Sequence, residues 1–227
     1  MHVAICVPCS FDQVPRSFWL SFTNLVAHNN KISQAMGIKN FTLHCNPALH
    51  LSQCRNWLAE EAVDSGAEWT LWLDVDMSHP PDLLQALLTT AHQASSMIVS
   101  ARYYRRAHPF LPVDAYREGP ALYPLDDPEP GCYEVDVIGF GAALVNTKVF
   151  KDIGIPCFYY DYDLLGRDIY SEDVAFCRRA QLADFKIIVD TRIECGHLMS
   201  EMVTRADWNR MRPEFQKDCR SGIVLKL

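Results

Sequence analysis

The chain has 227 residues, 49% of them hydrophobic and 22% charged, which is ordinary globular composition with enough length for one substantial core. Its net charge of -7 is spread without a long acidic or basic run, so composition points away from a nucleic-acid partner. No apolar stretch approaches the roughly 20 residues that cross a bilayer, and no leader with a basic start and apolar centre is present; the sequence predicts a soluble, cytoplasmic protein without a membrane span.

His2 to Pro8 (HVAICVP) reads as the first buried strand, with Cys9, Ser10 and Phe11 in the loop at its carboxyl end. Pro15 opens a helix whose Phe18, Phe22, Leu25 and Val26 recur at helical spacing until Asn29 and Asn30 break it. Phe41 to Cys45 predicts a second strand, punctuated by Asn46 and Pro47. In the next helix Leu51, Cys54, Leu58 and Ala62 form one stripe closed by Gly66, and Arg55 and Asn56 flank it. A right-handed crossover then returns the chain beside its first strand.

Trp69 to Pro81 (WTLWLDVDMSHPP) carries the sharpest signal. An apolar run with the character of a central parallel strand ends in Asp74 and Asp76. Residues two apart on an extended segment point to one side, so both carboxylates converge at the strand's carboxyl end, where open α/β sheets bind ligands. A divalent cation is the usual remedy for two such like charges. Two merely solvated acids are the plainer alternative, and they fit poorly after so apolar a run.

Pro81 and Asp82 suit the first turn of a helix with Leu84, Leu87, Leu88 and Ala91 inward, and Met97 to Ala101 comes next as a buried strand delivering Arg102 to Arg106 to its end. Residues 107–132, rich in proline, read as a long irregular excursion of the lid or binding-loop kind. Tyr133 to Gly139 reads as a strand, followed by GFGAALVN, whose paired glycines permit close backbone approach. Thr147 to Ile153 makes a short helix ended by Gly154, and the next fifteen or so residues are irregular, aromatic and acidic. Ser171 caps a helix with Val174, Cys177 and Ala180 inward; Phe185 to Asp190 is a strand; Glu194 to Leu198 (ECGHL) is a loop; Ala206 to Cys219 is a tail helix bent or divided at Pro213.

Nine cysteines, an odd number without a secretion signal, predict reduced thiols, most of them small core hydrophobes. Cys6 and Cys9 form a lone CxxC, but Cys6 sits in an apolar run, and a structural role outweighs a redox or zinc site. Glu172 and Asp173 in a helix's first turn gain about 0.3–1 kcal/mol each from the helix dipole with no function needed. After an aromatic loop they equally suit a general base and its orienting neighbour. His197 alone is an ordinary hydrogen-bonded histidine, although neutral imidazole suits a cation already held by a carboxylate. Gly139-Phe140-Gly141 lacks both the Lys-Ser/Thr ending and the third glycine of phosphate loops.

Taken in order, the strand ending at Pro8, Arg55-Asn56, LWLDVDM, VIGFGAALV, SEDVAFCRRA and ECGHL resemble GT-A-type glycosyltransferases, especially small members of glycosyltransferase family two, over about Val3 to His197. The resemblance implies an α/β fold: a single GT-A domain over residues 1–227 with a mixed, mostly parallel sheet flanked by helices. Residues 1–101 would form the nucleotide-binding half, 102–200 the acceptor half and 201–227 a C-terminal helical tail. It implies Mn²⁺ or Mg²⁺ bound by Asp76 and completed by His197, with Asp74 on the donor's ribose or on the metal through water. Pro8, Cys9 and Ser10 would cradle the nucleotide base, and Arg55 would lie near the donor. Glu172 and Asp173 would face the acceptor hydroxyl, one acting as base; Gly139, Phe140 and Gly141 would form the acceptor-side loop. No acid for the uracil or guanine edge is identified in the second strand; Asn46 is the nearest candidate.

The implied activity is transfer of a sugar from a UDP- or GDP-linked nucleotide-sugar to a glycan or other hydroxyl-bearing acceptor, with inversion. Tyr103, Tyr104, Tyr159, Tyr160 and Tyr162 offer rings to sugar faces, and residues 161–169 are expected to order over the bound donor. Two other classes compete. A phosphatase of the haloacid dehalogenase type would use Asp74 as nucleophile, but wants the motif on its first strand and Thr or Val after it. A non-catalytic nucleotide-sugar or glycan-binding module would keep the fold without turnover, yet no matched acid is missing.

Overall fold

The apolar N-terminal run makes β1 (His2–Val7), buried along all but its first residue. The computed structural model describes residues 1–9, 13–44, 49–118, 121–162, 168–199, 202–210 and 212. Ser10 and Asn46, two predicted nucleotide contacts, lie outside the described residues, as do 163–167 of the expected donor loop and 213–227 of the tail.

Pro15 leads into α1 (Arg16–Met36), which Asn29 and Asn30 do not break. An interior asparagine costs a helix only about 0.7 kcal/mol, less than the packing of Phe18 and Leu25 beneath it contributes. The helix ends instead at Gly37, whose φ of 64° is the left-handed geometry glycine adopts freely. β2 (Lys39–His44) and α2 (Leu51–Asp64) come next. The inward face of α2 holds Cys54, Arg55, Leu58, Ala59 and Ala62, so Arg55 is buried rather than flanking, and Leu51, expected inward, is 37% exposed.

β3 (Trp69–Leu73) stops before the aspartates, and the chain turns into β4 (Met77–Ser78) and α3 (Leu83–Ala94). β5 (Ile98–Arg102) is wholly buried. The excursion is less irregular than expected: β6 (Ala115–Glu118) and β7 (Ala121–Pro124) pair as an antiparallel ribbon. The strand expected over Tyr133 to Gly139 shrinks to β8 (Cys132–Glu134), while the run after the glycines forms β9 (Ala142–Asn146). The remaining elements are α4 (Thr147–Ile153), β10 (Asp161–Tyr162), β11 (Asp168–Tyr170), α5 (Glu172–Leu182), β12 (Ile187–Glu194), β13 (Gly196–Leu198), β14 (Met202–Val203) and a helical turn over 205–210.

Seven strands form the central sheet in the order β2-β1-β3-β9-β5-β12-β8. β2, β1, β3, β5 and β12 run one way; β9 in the centre and β8 at the edge run the other. Leu144 of β9 lies opposite Leu71 on one side and Val99 on the other. Alternation divides β9 between two core layers: Ala143 and Val145 pack toward α2, α4 and α5, while Ala142 and Leu144 pack toward α1 and α3. The first layer is dominated by rings, with Phe140 edge-on to both Phe158 and Phe176 at 4.8 Å and Trp72 at 5.6 Å. Such pairs add about 0.5–1.5 kcal/mol each beyond area burial. Cys6, Cys157, Cys177 and Cys195 are buried thiols as expected, whereas Cys54 is disulfide-bonded, against the reduced state predicted for it. Among the described residues no helix is long and apolar enough to cross a membrane.

Candidate functional site

A cleft of about 790 Å³ opens beyond the carboxyl ends of β1, β3 and β5, lined among others by Pro8, Arg55, Asp74, Asp76, Glu172, Asp173 and His197. Because β9 runs backwards through the sheet, its entry loop at Ile138 and Gly139 reaches the same edge. Residues predicted from six separate stretches thus face one space.

Arg55 organises one wall. Its side chain is 1% exposed, with the guanidinium against the rings of Phe140 and Phe158 at 5.4 and 5.9 Å. Nη2 donates to both oxygens of Asp74 at 3.2 and 3.1 Å, and Nη1 donates to Glu172 at 2.8 Å and also to Asp173. Burial works against its charge, but Asp173, Asp74 and Glu172 together hold its pKa above the ordinary value. Burial pushes Asp173 up to about 7; Arg55 opposes that rise, and Glu172 and Asp74 add to it. A carboxyl poised there suits proton abstraction near neutrality. Beside Arg55, Asn56 pins the ring-bearing segment: its Oδ1 accepts from the N–H groups of Cys157 and Phe158 at 2.8 and 2.9 Å, and its Nδ2 donates to the Phe158 carbonyl at 2.6 Å.

Asp76 has a different neighbourhood. The expectation that both aspartates converge from an extended strand does not hold, since β3 ends at Leu73 and Asp74 to Asp76 form a turn closed by Met77 N–H donating to the Asp74 carbonyl at 3.2 Å. Short antiparallel pairing of β13 with β4, unexpected for a segment read as loop, sets His197 opposite Met77. His197 Nδ1 lies 2.7 Å from the Tyr104 carbonyl. A carbonyl only accepts, so Nδ1 carries a proton, and Nε2 lies 3.5 Å from Asp76 Oδ2. Arg106 Nη1 sits 2.8 Å from the same oxygen. Burial acts to raise the Asp76 pKa, but His197 and then Arg106 hold it below the ordinary carboxylate value.

A carboxylate oxygen and an imidazole nitrogen 3.5 Å apart are of the donor types that hold a divalent cation. Among the described residues no cluster of three His, Cys, Asp or Glu side chains is placed to hold one. Asp76 and His197 supply two side chains of the kind that can share a cation with substrate phosphates. Asp74 belongs to the Arg55 side of the cleft, Asp76 to the His197 side.

Two further residues shape the floor. Tyr103, singled out as a ring for sugars, lines the cleft, accepts a hydrogen bond from Gly141 N–H at 3.0 Å and lies edge-on to His197 at 5.6 Å. Burial, then Asp74 and Asp173, keep its hydroxyl protonated well above the ordinary range. His79, not singled out at all, donates from Nε2 to the Gly141 carbonyl at 2.9 Å, and burial pulls it down to about 4, so it stays neutral. That carbonyl also accepts from Asp74 N–H at 3.3 Å. The signal for His79 was its place two residues after the aspartate turn's Met77. Phe140 is fully buried in the ring cluster and Gly141 lies behind Tyr103, so of the acceptor-side trio Gly139 lines the cleft. Cys9 is half-buried beside Pro8. Ser171 occupies the N-cap position of α5 without a side-chain cap bond.

No family model matches the chain, and no curated protein matches it. Among solved structures, A197 from STIV aligns over 91% of this chain and 92% of its own, with a TM-score of 0.59 at 16% identity. GalNAc-T7, solved with UDP, GalNAc and Mn²⁺, aligns over 93% of this chain and 47% of its own, with a TM-score of 0.55 at 11% identity. This chain thus spans under half of that transferase. The motif-based likeness to glycosyltransferase family two gains no support from these matches. At such identities the likeness concerns the fold alone: a GT-A-like α/β domain with a mostly parallel seven-stranded sheet.

Proposed function

We propose that the protein transfers a sugar from a UDP- or GDP-linked nucleotide-sugar to a hydroxyl of a glycan or other acceptor, with inversion and with Mn²⁺ or Mg²⁺ as cofactor. One observation carries the reading: Asp74, Asp76, Glu172, Asp173 and His197 line one cleft at the carboxyl edge of a GT-A-like sheet. A neighbour of that fold solved with UDP, GalNAc and Mn²⁺ supports it, as does an order of motifs resembling that of small family-two members.

Asp76 and His197 would hold the cation, whose charge offsets that of the departing diphosphate. Asp74, steadied by Arg55, serves the ribose, with Pro8 and Cys9 toward the base and residues 1–101 as the donor half. Arg105 and Arg106 add charge-assisted hydrogen bonds to phosphate oxygens. Asp173 takes the proton from the attacking hydroxyl while its oxygen bonds to the anomeric carbon. The sugar–phosphate bond breaks on the opposite face, and its electron pair leaves with the diphosphate. The phosphatase alternative is not favoured, since the motif comes after the third strand and both Asp74 oxygens are engaged by Arg55.

Calorimetric titration of UDP and GDP with and without Mn²⁺, followed by product analysis over donor and acceptor panels, tests the reading. Asp76→Ala should abolish metal-dependent nucleotide binding, and Asp173→Asn should bind normally yet slow transfer by about 10²–10⁴-fold. Equal loss of binding in both variants rejects these roles. Metal-dependent binding without transfer to any acceptor would point to a binding module instead.

A further inference from the structure

We propose that Arg106 is a tethered cation that competes with the divalent metal for Asp76 and shifts onto the donor's diphosphate when the metal arrives, so that metal and nucleotide load together. The inference rests on the donor-and-metal reading of the cleft. Arg106 Nη1 and His197 Nε2 both face Asp76 Oδ2, at 2.8 and 3.5 Å. A metal shared by Asp76 and His197 must claim the oxygen the guanidinium already holds. Two cations on one carboxylate oxygen repel, and the weaker-bound one yields.

The two arginines facing the aspartates are unequal in how readily they yield. Arg55 is 1% exposed, wedged against two rings and bonded to three acids, so it stays with Asp74. Arg106 is 54% exposed and reaches Asp76 from the open side of the cleft. Solvent-exposed pairs of this kind change an equilibrium constant by about two- to fivefold, which a divalent ion readily overcomes. The displaced guanidinium remains on the cleft wall next to Arg105, whose charge burial already disfavours. A planar fork beside a second cation matches a diphosphate, which takes two or more such donors. Metal binding thereby converts Arg106 from an internal counter-ion into a phosphate ligand.

Titrating Mn²⁺ alone, read by the electron paramagnetic resonance of the free ion, separates this from a simple phosphate contact. Arg106→Gln should bind Mn²⁺ about two- to fivefold more tightly than wild type without nucleotide. With saturating Mn²⁺, the same variant should bind UDP or GDP about tenfold more weakly. Arg105→Gln is the comparison: nucleotide binding should weaken while Mn²⁺ affinity stays put. Unchanged or weaker Mn²⁺ binding in Arg106→Gln overturns the proposal, as does an equal gain in Arg105→Gln, which would reduce the effect to general charge. Adding Asp76→Ala to Arg106→Gln should erase the gain; its survival also overturns the assignment. Failure of both nucleotides to bind wild type rejects the donor reading and the shift onto diphosphate, whereas the Mn²⁺ titration still decides the competition for Asp76.

Discussion

Replacing Gly139 with alanine tests whether the cleft floor is set by contact between the glycine turn and Tyr103. A Cβ at Gly139 would meet Tyr103 Oη at 2.0 Å and Cζ at 3.0 Å. The demand is for space, since the Gly139 backbone lies outside the left-handed region. Tyr103 is 4% exposed, bonded through its hydroxyl to Gly141 N–H and edge-on to His197, so its ring has little room to retreat. Overpacking of this kind costs about 1–3 kcal/mol, or a fall in Tm of roughly 3–10 °C for a chain of this size. Tyr103→Phe removes the offending oxygen but orphans Gly141 N–H, at about 1–3 kcal/mol. In the double variant the alanine no longer meets a hydroxyl, so the combined loss should fall short of the sum by at least about 1 kcal/mol. Urea unfolding of the four proteins measures this directly. Strictly additive losses, or a Gly139→Ala protein as stable as wild type, would refute the reasoning.

A base works deprotonated, so with Asp173 raised to about 7 the rate of transfer should climb as pH rises through that value and then level; a profile flat from pH 5 to 9 would remove Asp173 as base. A carboxyl raised on folding favours the unfolded state as it ionises, so Asp173 should lower thermal stability as pH rises from 3.8 to about 7, with buried Asp114, raised to about 6, acting in the same sense. Arg55→Lys keeps the charge but cannot fork onto Asp74 while reaching Glu172 and Asp173, and should lose about 3 kcal/mol in urea unfolding; an unchanged midpoint would deny Arg55 its central place. Asn56→Ala should speed hydrogen exchange at the Cys157 and Phe158 amides by at least about tenfold, and unaltered protection there would show that Asn56 does not hold the segment.

What local pattern encodes was legible in advance. The buried β1 and β3, the inward faces of α3 and α5 and the glycine closing α4 stem from periodicity and turn chemistry, and the acids that line the cleft stood out by their place at element ends. Partners across the fold were not legible. Arg55 reads as a surface charge until Asp74, Glu172 and Asp173, up to 118 residues away, are seen to neutralise it. β9 is a short apolar run whose periodicity carries no direction, so its reversed course between β3 and β5 is a property of the sheet. β13 is three residues long and exists because β4 pairs with it, which no local propensity records.

The reversed β9 has a consequence for engineering. In sequence, residues 1–101 look detachable from the rest of the chain, yet their sheet is completed by Ala142–Asn146, whose Ala142 pairs with Leu73 at the threshold of the aspartate turn. A chimaera made by splicing a foreign segment after β5 would import a stranger's strand into the middle of the sheet that residues 1–101 begin. Because β9 divides its side chains between both core layers, a one-residue slip would exchange Leu144 with Val145 and shift the glycine turn under Asp74. Productive recombination would have to carry this strand with the first hundred residues, grafting at the loops on either side of it.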